Sequence, residues 1–424
     1  MTSTSARLAT LFTIALCAIS LGLPGVADAK HRNKSGKNFT GENPLDVPRA
    51  EFQAAQEGTE LIYQRRMGDA LDVFEGVSIN HPDSPLGPLG VAIVYQAIMF
   101  ENYDFSLDKA YLQASADAQQ RFDRVARSRD KKAWNLFLLA VHQGVNAMYH
   151  VRHLDYLSGF NLAWEALENV KKVERMAPEF YDVQLALGLY NYWRTAYTEK
   201  IDFLPKFGEH RAEGLAQMQI AKEKGLLGRA PASLALTYSY MEGKDYEAAL
   251  TEALWARERY PTSVLNEMTL SRVYRHLKRF QEALAVLENA RTIAPDCGRL
   301  WWQIGETHYK SRKNNEDAKD AFKKYLESEP LPEYKAHTLY RLGLLERRQR
   351  RYEMAIHYLE QAVATYPKFK TAAKKLEQVQ AERDKRADDS RKRRERTRDR
   401  KAKPKGTLTT PVSPRIAPTV PHRD

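Results

Sequence analysis

Cysteine is nearly absent from this sequence of 424 residues, which contains only Cys17 and Cys297. Cys17 falls in an amino-terminal segment that we expect to be removed, so one cysteine stays in the folded part. A single cysteine cannot form an internal disulfide, and core packing alone must hold the fold. Because Cys297 follows Pro295, where a turn is expected, we interpret it as a small turn residue and not as a reactive thiol.

Long apolar runs are missing after residue 29, where none approaches the roughly 18 residues of a membrane-spanning helix. Before it, Arg7 precedes an apolar run over residues 8–23, and a small-x-small pattern ends at Ala29. This order predicts a bacterial-type secretory signal peptide, cleaved after Ala29. An uncleaved anchor is the alternative; a lipoprotein at Cys17 is disfavoured because Leu16 stands where a small residue is needed. We therefore expect a periplasmic or envelope-associated protein.

Motifs of catalysis and of cofactor binding are missing as well. The sequence has no glycine-rich phosphate loop, no serine elbow and no cysteine paired with a placed histidine. His150 and His153 share a helix face close to Asp155, but a third metal ligand is not apparent. We interpret this pair as polar surface, and we predict no enzyme, no cofactor and no metal site.

Positive charge is unevenly distributed. The net charge is +12, yet residues 382–405 alone contain 13 Lys or Arg against 6 Asp or Glu. Residues 30–49 are also basic, so the body of the chain is nearly neutral. The basic character therefore describes contacts of the tails and not the fold.

What the sequence does contain is a repeat. A small residue and a helix-terminating proline recur at Ala249, Ala283, Ala318, Ala355 and at Pro261, Pro295, Pro330, Pro367. The first two members of each series are 34 residues apart, as are Tyr240 and Tyr274. Such a period is typical of helical hairpins stacked into an array.

The residues of this repeat resemble the tetratricopeptide repeat. The third unit supplies Trp301, Gly305, Ala318, Phe322 and Pro330, and the fourth supplies Leu342, Gly343, Ala355, Leu359, Ala362 and Pro367. The resemblance implies an all-α, right-handed superhelix of antiparallel helix pairs. It also implies a concave groove that binds peptides or partner proteins without catalysis.

We divide the chain on this basis. The expected segments are a signal peptide (1–29), a disordered leader (30–49), divergent hairpins (50–228), four regular units (229–369), a capping helix (370–387) and a basic, then proline-rich disordered tail (388–424). An extension of the capping helix into the charged residues 388–405 is the alternative to disorder there. The divergent part carries an insertion near residues 198–211 that we predict to be a loop.

First-helix side chains of the regular units should face the groove. The predicted partner-binding residues are Tyr238, Met268, Arg272, Arg275, Trp302, Glu306, Tyr309, Tyr340, Arg341 and Arg347. Tyr, Trp, Met and Arg are typical of binding hot spots, and arginine recognises carboxylates. We therefore expect a protein or peptide ligand of acidic character. The alternative is that several of these side chains pack between repeats.

The basic tail supplies a second hypothesis. Six side chains could bind an anionic polymer or lipid surface by charge, namely Arg391, Lys392, Arg393, Arg394, Arg396 and Arg398. Acidic residues interrupt the run and aromatic residues are missing from it, so sequence-specific recognition of nucleic acid is not predicted.

Overall fold

A computed structural model describes residues 45, 47–127, 132–198 and 208–402. The predicted signal peptide, most of the predicted leader, residues 199–207 of the insertion and the proline-rich end from residue 403 lie outside these residues.

The described chain consists of seventeen α-helices and no strands, which confirms the all-α prediction. They are α1 (Arg49–Tyr63), α2 (Met67–Asn80), α3 (Leu86–Asn102), α4 (Asp108–Arg127), α5 (Ala133–Arg152), α6 (Tyr156–Met176), α7 (Val183–Thr198), α8 (Arg211–Lys224), α9 (Arg229–Gly243), α10 (Tyr246–Arg259), α11 (Val264–His276), α12 (Phe280–Ile293), α13 (Gly298–Ser311), α14 (Asn315–Glu327), α15 (Pro332–Arg348), α16 (Tyr352–Thr365) and α17 (Lys370–Ala402).

Consecutive helices form eight antiparallel hairpins, from α1–α2 to α15–α16, and α17 closes the array. The recurring alanines are fully buried where the helices of a hairpin cross. The glycines mark the closest approaches: a Cβ on Gly58 would lie 2.3 Å from the Phe74 ring, and one on Gly305 would lie 2.6 Å from the Phe322 ring. Small residues are needed here because larger ones would separate the helices.

A residue in left-handed conformation ends the first helix of seven hairpins. These residues are Arg65, Tyr103, Leu154, Lys244, Lys278, Arg312 and Arg350, with φ between 58° and 66°. The remaining hairpin has its connection partly outside the described residues. This αL cap turns the chain sharply into the second helix, and none of the seven is the glycine that such a position favours.

The carboxy-terminal helix is longer than predicted. The predicted capping helix at 370–387 is helical, with Ala372 and Val379 buried against the last hairpin. However, α17 continues to Ala402, so disorder was wrong for residues 388–402 and the alternative, an extension of the helix, is what the structure has there. Arginine and lysine are good helix formers, and pairs such as Lys392 with Asp388 (2.7 Å) support a solvated helix at four-residue spacing.

The superhelix returns on itself within one turn. The Tyr260 hydroxyl donates to the Glu60 carboxylate at 3.0 Å, and the Thr262 hydroxyl donates to the Gln64 carbonyl at 2.7 Å. Further along, Arg299 donates to the Phe100 carbonyl at 2.8 Å, and the rings of Tyr103 and Tyr334 lie 4.8 Å apart. The first two hairpins therefore lie against α10–α15, about 200 residues away in sequence.

Within the described ranges, no helix is both long and apolar enough to cross a membrane.

Candidate functional site

The structure distributes the predicted groove residues over four first helices. Tyr238 lies on α9, then Met268, Arg272 and Arg275 on α11, then Trp302, Glu306 and Tyr309 on α13, then Tyr340, Arg341 and Arg347 on α15. They form two groups, one buried and one partly exposed.

Five of the ten side chains are buried, which corrects the expectation of an open groove at those positions. These are Tyr238, Met268, Arg275, Glu306 and Tyr340. Met268 packs against the core beneath the concave surface. The burial follows from the close stacking of neighbouring hairpins, which covers one side of each first helix.

Arg275 shows how this polar layer is satisfied. Its guanidinium donates to the Gln303 side chain at 2.6 Å and to the Thr307 hydroxyl at 3.2 Å, while its Nε has no partner. Burial, together with the nearby charge of Arg272, lowers the pKa of Arg275 to about 9. Arg275 therefore joins two hairpins and is not a surface contact.

Glu306 is the buried acid of the same layer. Its carboxylate pairs with the Arg341 guanidinium of the next hairpin. Burial alone would raise the pKa of Glu306, but Arg341 holds it below the usual value. Arg347 is bidentate to Glu382 of α17 at 2.7 and 2.9 Å. Both pairs connect successive elements of the array.

A partly exposed group remains, which we call the carboxy-terminal strip. It consists of Arg272, Trp302, Tyr309, Arg341, Arg347 and, in addition, Arg348. Sequence reasoning missed Arg348, whose guanidinium lies 3.9 Å from the Tyr309 ring centroid; that of Arg341 lies 4.8 Å from it. The Tyr309 ring and its flanking arginines thus form an aromatic and cationic surface.

Sequence reasoning also missed a central cavity of about 530 Å³ inside the superhelical turn. First helices of the first six hairpins line it, and part of the lining consists of Ile93, Ala97, Phe100, Phe137, Val141, Gly144, Met148, Leu185, Leu189, Leu234, Tyr238 and Leu265. The signal in the sequence was a second apolar stripe at three- and four-residue spacing on α3 and α5, beside the stripe that packs each hairpin.

Three charged side chains line this cavity, and all have partners. Arg65 pairs with Glu101 at 3.0 Å. Asp182 accepts hydrogen bonds from the amides of Leu226, Leu227 and Gly228 at 3.0, 2.7 and 2.5 Å. Burial raises the pKa of Asp182 against the effect of these bonds. The interior of the cavity is consequently apolar.

Four arginines outside the cavity lining lie near one another, and we call them the arginine cluster: Arg152, Arg272, Arg275 and Arg299. Arg272 lies 5.5 Å from the Tyr238 ring centroid, and Arg299 lies 5.6 Å from that of Phe100. Both rings line the cavity. Burial would raise the pKa of Tyr238, but Arg272, Arg299 and Arg275 bring it below its usual value.

The remaining predicted groups lie elsewhere. His150 contacts Asp155 at 3.0 Å and His153 contacts Asp108 at 3.3 Å. In the described part of the chain, no group of three or more His, Cys, Asp or Glu residues could hold a metal ion. Cys297 is buried just before α13, and burial raises the pKa of its thiol to about 11.

The six tail residues Arg391, Lys392, Arg393, Arg394, Arg396 and Arg398 are exposed on the last third of α17. Arg391 and Lys392 approach the Asp388 carboxylate at 3.6 and 2.7 Å. The helix therefore presents its basic side chains to solvent.

Two tetratricopeptide-repeat family models match the chain, one over residues 268–335 and the other over residues 336–369. The matched segments span the sixth to eighth hairpins, which carry most of the carboxy-terminal strip. A comparison with curated protein sequences found no match.

Among solved structures, the chain is similar to a chain of the APC/C hetero-tetramer Cut9-Hcn1, with 18% identity and a TM-score of 0.49. The similarity covers 75% of this chain and 54% of that chain, so this chain spans about half of its length.

It is also similar to human IFIT1 in its dimer with PPP-AAAA, with 14% identity over 81% of this chain and 88% of that chain, and a TM-score of 0.50. At such identity the similarity shows the fold alone, a superhelical array of helices. With the family matches, the recurring positions and the hairpin geometry in agreement, the chain contains tetratricopeptide repeats over residues 268–369.

Proposed function

We propose that this protein is a non-catalytic interaction scaffold that holds a partner protein or peptide on its carboxy-terminal strip. The observation that carries the proposal is the placement of Tyr309 between Arg341 and Arg348 on the concave side of recognisable tetratricopeptide repeats. Tetratricopeptide repeats generally bind protein ligands. Flat aromatic rings flanked by guanidiniums are the residue types that dominate binding energy at interfaces.

The charge of the strip favours an acidic partner segment. Arg348 is exposed and makes no ion pair within the described residues, while its guanidinium donates to the Tyr309 carbonyl at 3.0 Å. Arginine can still offer further donors to a carboxylate in this arrangement. By contrast, Arg341 and Arg347 are engaged by Glu306 and Glu382. Arg348 and Tyr309 are therefore the side chains that we assign to direct contact.

Site-specific photocrosslinking tests the assignment. A photoreactive phenylalanine analogue would replace Tyr309 in the strip or, as the matched control, His357 on the outer face of α16. We expect the analogue at position 309 to form a discrete adduct with a protein. The Arg348→Ala change should lower the yield of this adduct. Identical adduct patterns at both positions would contradict the proposal.

We further propose that the scaffold works in the bacterial cell envelope. Support comes from the basic start, apolar run and small-x-small ending of residues 1–29. Amino-terminal sequencing of the protein from a periplasmic fraction should then begin at Lys30. Recovery of the protein in the cytoplasm, starting at Met1, would refute this placement.

The basic end of α17 favours a second function, attachment to an anionic envelope polymer or lipid surface. Its exposed arginines need no burial to act by charge. This function is independent of the strip.

A further inference from the structure

The concave side of the amino-terminal hairpins is more apolar than expected for a surface that faces only water. Ile93, Ala97 and Phe100 on α3, and Phe137 and Val141 on α5, face the central cavity and are half-buried. They lie one helical turn apart, so each helix has a second apolar stripe beside the one that packs its hairpin. Water in such a space would find few hydrogen-bond partners.

The volume of the cavity indicates the size of its ligand. A cavity of about 150 Å³ holds benzene, and by that proportion 530 Å³ holds about twenty carbon-sized atoms. The space therefore has room for one long alkyl chain.

The positive charge of the arginine cluster, close to Tyr238 and Phe100 of the cavity lining, indicates the head group of the ligand. No member of the arginine cluster forms an ion pair with a carboxylate within the part of the chain that the structure describes. Arg275 is buried with an unpartnered Nε, and Arg152 has a buried, unpartnered Nη1. Glu306 acts through space on Arg275, and Asp104 on Arg152, but the four guanidiniums outnumber these two carboxylates. An excess of positive charge beside an apolar space favours an anion over a neutral group.

We propose that the central cavity binds a single-chain amphiphile, with its alkyl chain among the apolar side chains and its anionic head at the arginine cluster. The shared chemistry is a chain of about sixteen carbons that ends in a carboxylate or a phosphate. The site does not include Tyr309 and Arg348, the strip residues assigned to direct contact with a protein partner, although Arg272 belongs to both the strip and the arginine cluster.

Gly144 allows the cavity to be filled without disturbing the helix. It lines the cavity, and an added Cβ would meet no atom within 4 Å. Gly144→Leu thus places a side chain in open space and also removes a helix-weakening glycine. Gly76→Leu is the matched control, because a Cβ at Gly76 also meets nothing within 4 Å and the residue does not line the cavity. Ala97→Leu fills the cavity from another helix.

The experiment measures equilibrium binding of palmitate, hexadecyl phosphate and hexadecanol, at sub-micellar concentration, to the full exported chain. We expect wild type to bind the two anionic probes at least about tenfold more tightly than hexadecanol. Gly144→Leu and Ala97→Leu should each weaken anionic binding by about tenfold or more, with the helical circular dichroism unchanged, and Gly76→Leu should not. Arg272→Gln should weaken the anionic probes and leave hexadecanol binding unchanged.

A preference for palmitate supports the site and assigns a carboxylate head; a preference for hexadecyl phosphate supports it and assigns a phosphate head. The proposal is overturned if wild type binds none of the probes, if both cavity-filling variants bind as wild type does, or if hexadecanol binds as tightly as the anions. The proposal would also be overturned if an apolar helical peptide displaced bound palmitate and bound the Gly144→Leu variant as tightly as it binds wild type.

Discussion

His142 is a buried side chain whose charge state is linked to stability. Its Nε2 lies 3.0 Å from the Ser115 hydroxyl and 2.9 Å from the Asn146 side-chain nitrogen, between α4 and α5. Burial lowers the pKa of His142 to about 4. The ring is therefore neutral in the folded protein at pH values where an unfolded histidine begins to take up a proton.

This shift predicts acid sensitivity well above the pKa of the carboxylates. Between about pH 6.5 and pH 4 the unfolded state binds a proton that folded His142 does not, so the free energy of unfolding falls as the pH falls. A pKa lowered from 6.5 to about 4 corresponds to about 3 kcal/mol at most. Urea unfolding of wild type and His142→Gln at pH 7 and pH 4 measures it. A pH dependence that is the same in both proteins would rule out His142 as the source.

The arginines show how far the sequence predicts the position of single residues. The repeat register correctly placed Arg272, Arg275 and Arg341 on first helices, because a 34-residue period fixes position along the helix. It did not separate exposed Arg348 from buried Arg275. That distinction depends on how tightly one hairpin covers the next, and the contacts that decide it, such as Arg275 with Gln303, belong to a different repeat.

At the scale of the helix pair, a glycine on one helix and an aromatic ring on the other lie where the two helices cross most closely. In the seventh hairpin, the backbone of Gly305 lies so close to Phe322 that any side chain must displace the ring. In contrast, Gly76 on α2 has open space at its Cβ. The same amino acid therefore has opposite roles in two helices.

Alanine substitutions at Gly305 and Gly76 should change the free energy of unfolding in opposite directions. Gly305→Ala should destabilise the protein by about 1–3 kcal/mol, because overpacking at the crossing outweighs the better helix propensity of alanine. Gly76→Ala should stabilise it by about 0.5–1 kcal/mol, since only propensity changes there. Thermal unfolding followed by circular dichroism provides the measurement. Equal stabilisation by both substitutions would contradict the packing argument.

The carboxy-terminal helix makes a prediction about charge. Changing Arg393, Arg394, Arg396 and Arg398 to Gln keeps good helix formers on α17 but removes four exposed charges. Retention on anionic phospholipid vesicles should fall strongly at low salt and hardly differ at 1 M salt, where screening already removes the attraction. The matched control changes Arg279, an exposed residue on the array, to Gln. Retention of the fourfold variant equal to that of wild type would exclude this role for the helix.

Sequence predicted the elements better than it predicted their ends. Divergent hairpins over residues 50–228 followed from the repeat, and the capping helix followed from its position after the last unit. The extension of α17 to Ala402 stayed one of two alternatives because few apolar residues occur there. Helix formation at that point depends on propensity and on pairs such as Lys392 with Asp388, and not on a core.

At the scale of the whole molecule, the return of the chain on itself decides which surfaces can act. Its contacts, among them Tyr260 with Glu60 and Arg299 with Phe100, join residues about 200 positions apart. No local pattern encodes such pairs, since they arise only when small rotations of successive hairpins accumulate over a turn. The central cavity was unpredictable for the same reason. Closure divides the concave side into an interior and the carboxy-terminal strip.

Crosslinking across this closure is the most direct test. In the structure, Glu60 of the first hairpin and Arg259 of α10 approach within 3.6 Å. With Cys17→Ser and Cys297→Ser to remove both native thiols, the chain carrying Glu60→Cys and Arg259→Cys should form an intramolecular bridge with a short bismaleimide in nearly all molecules. A second chain with Glu60→Cys and Glu353→Cys should not. Failure of the first pair to bridge in a folded protein, or equal bridging of both pairs, would contradict a superhelix that closes within one turn.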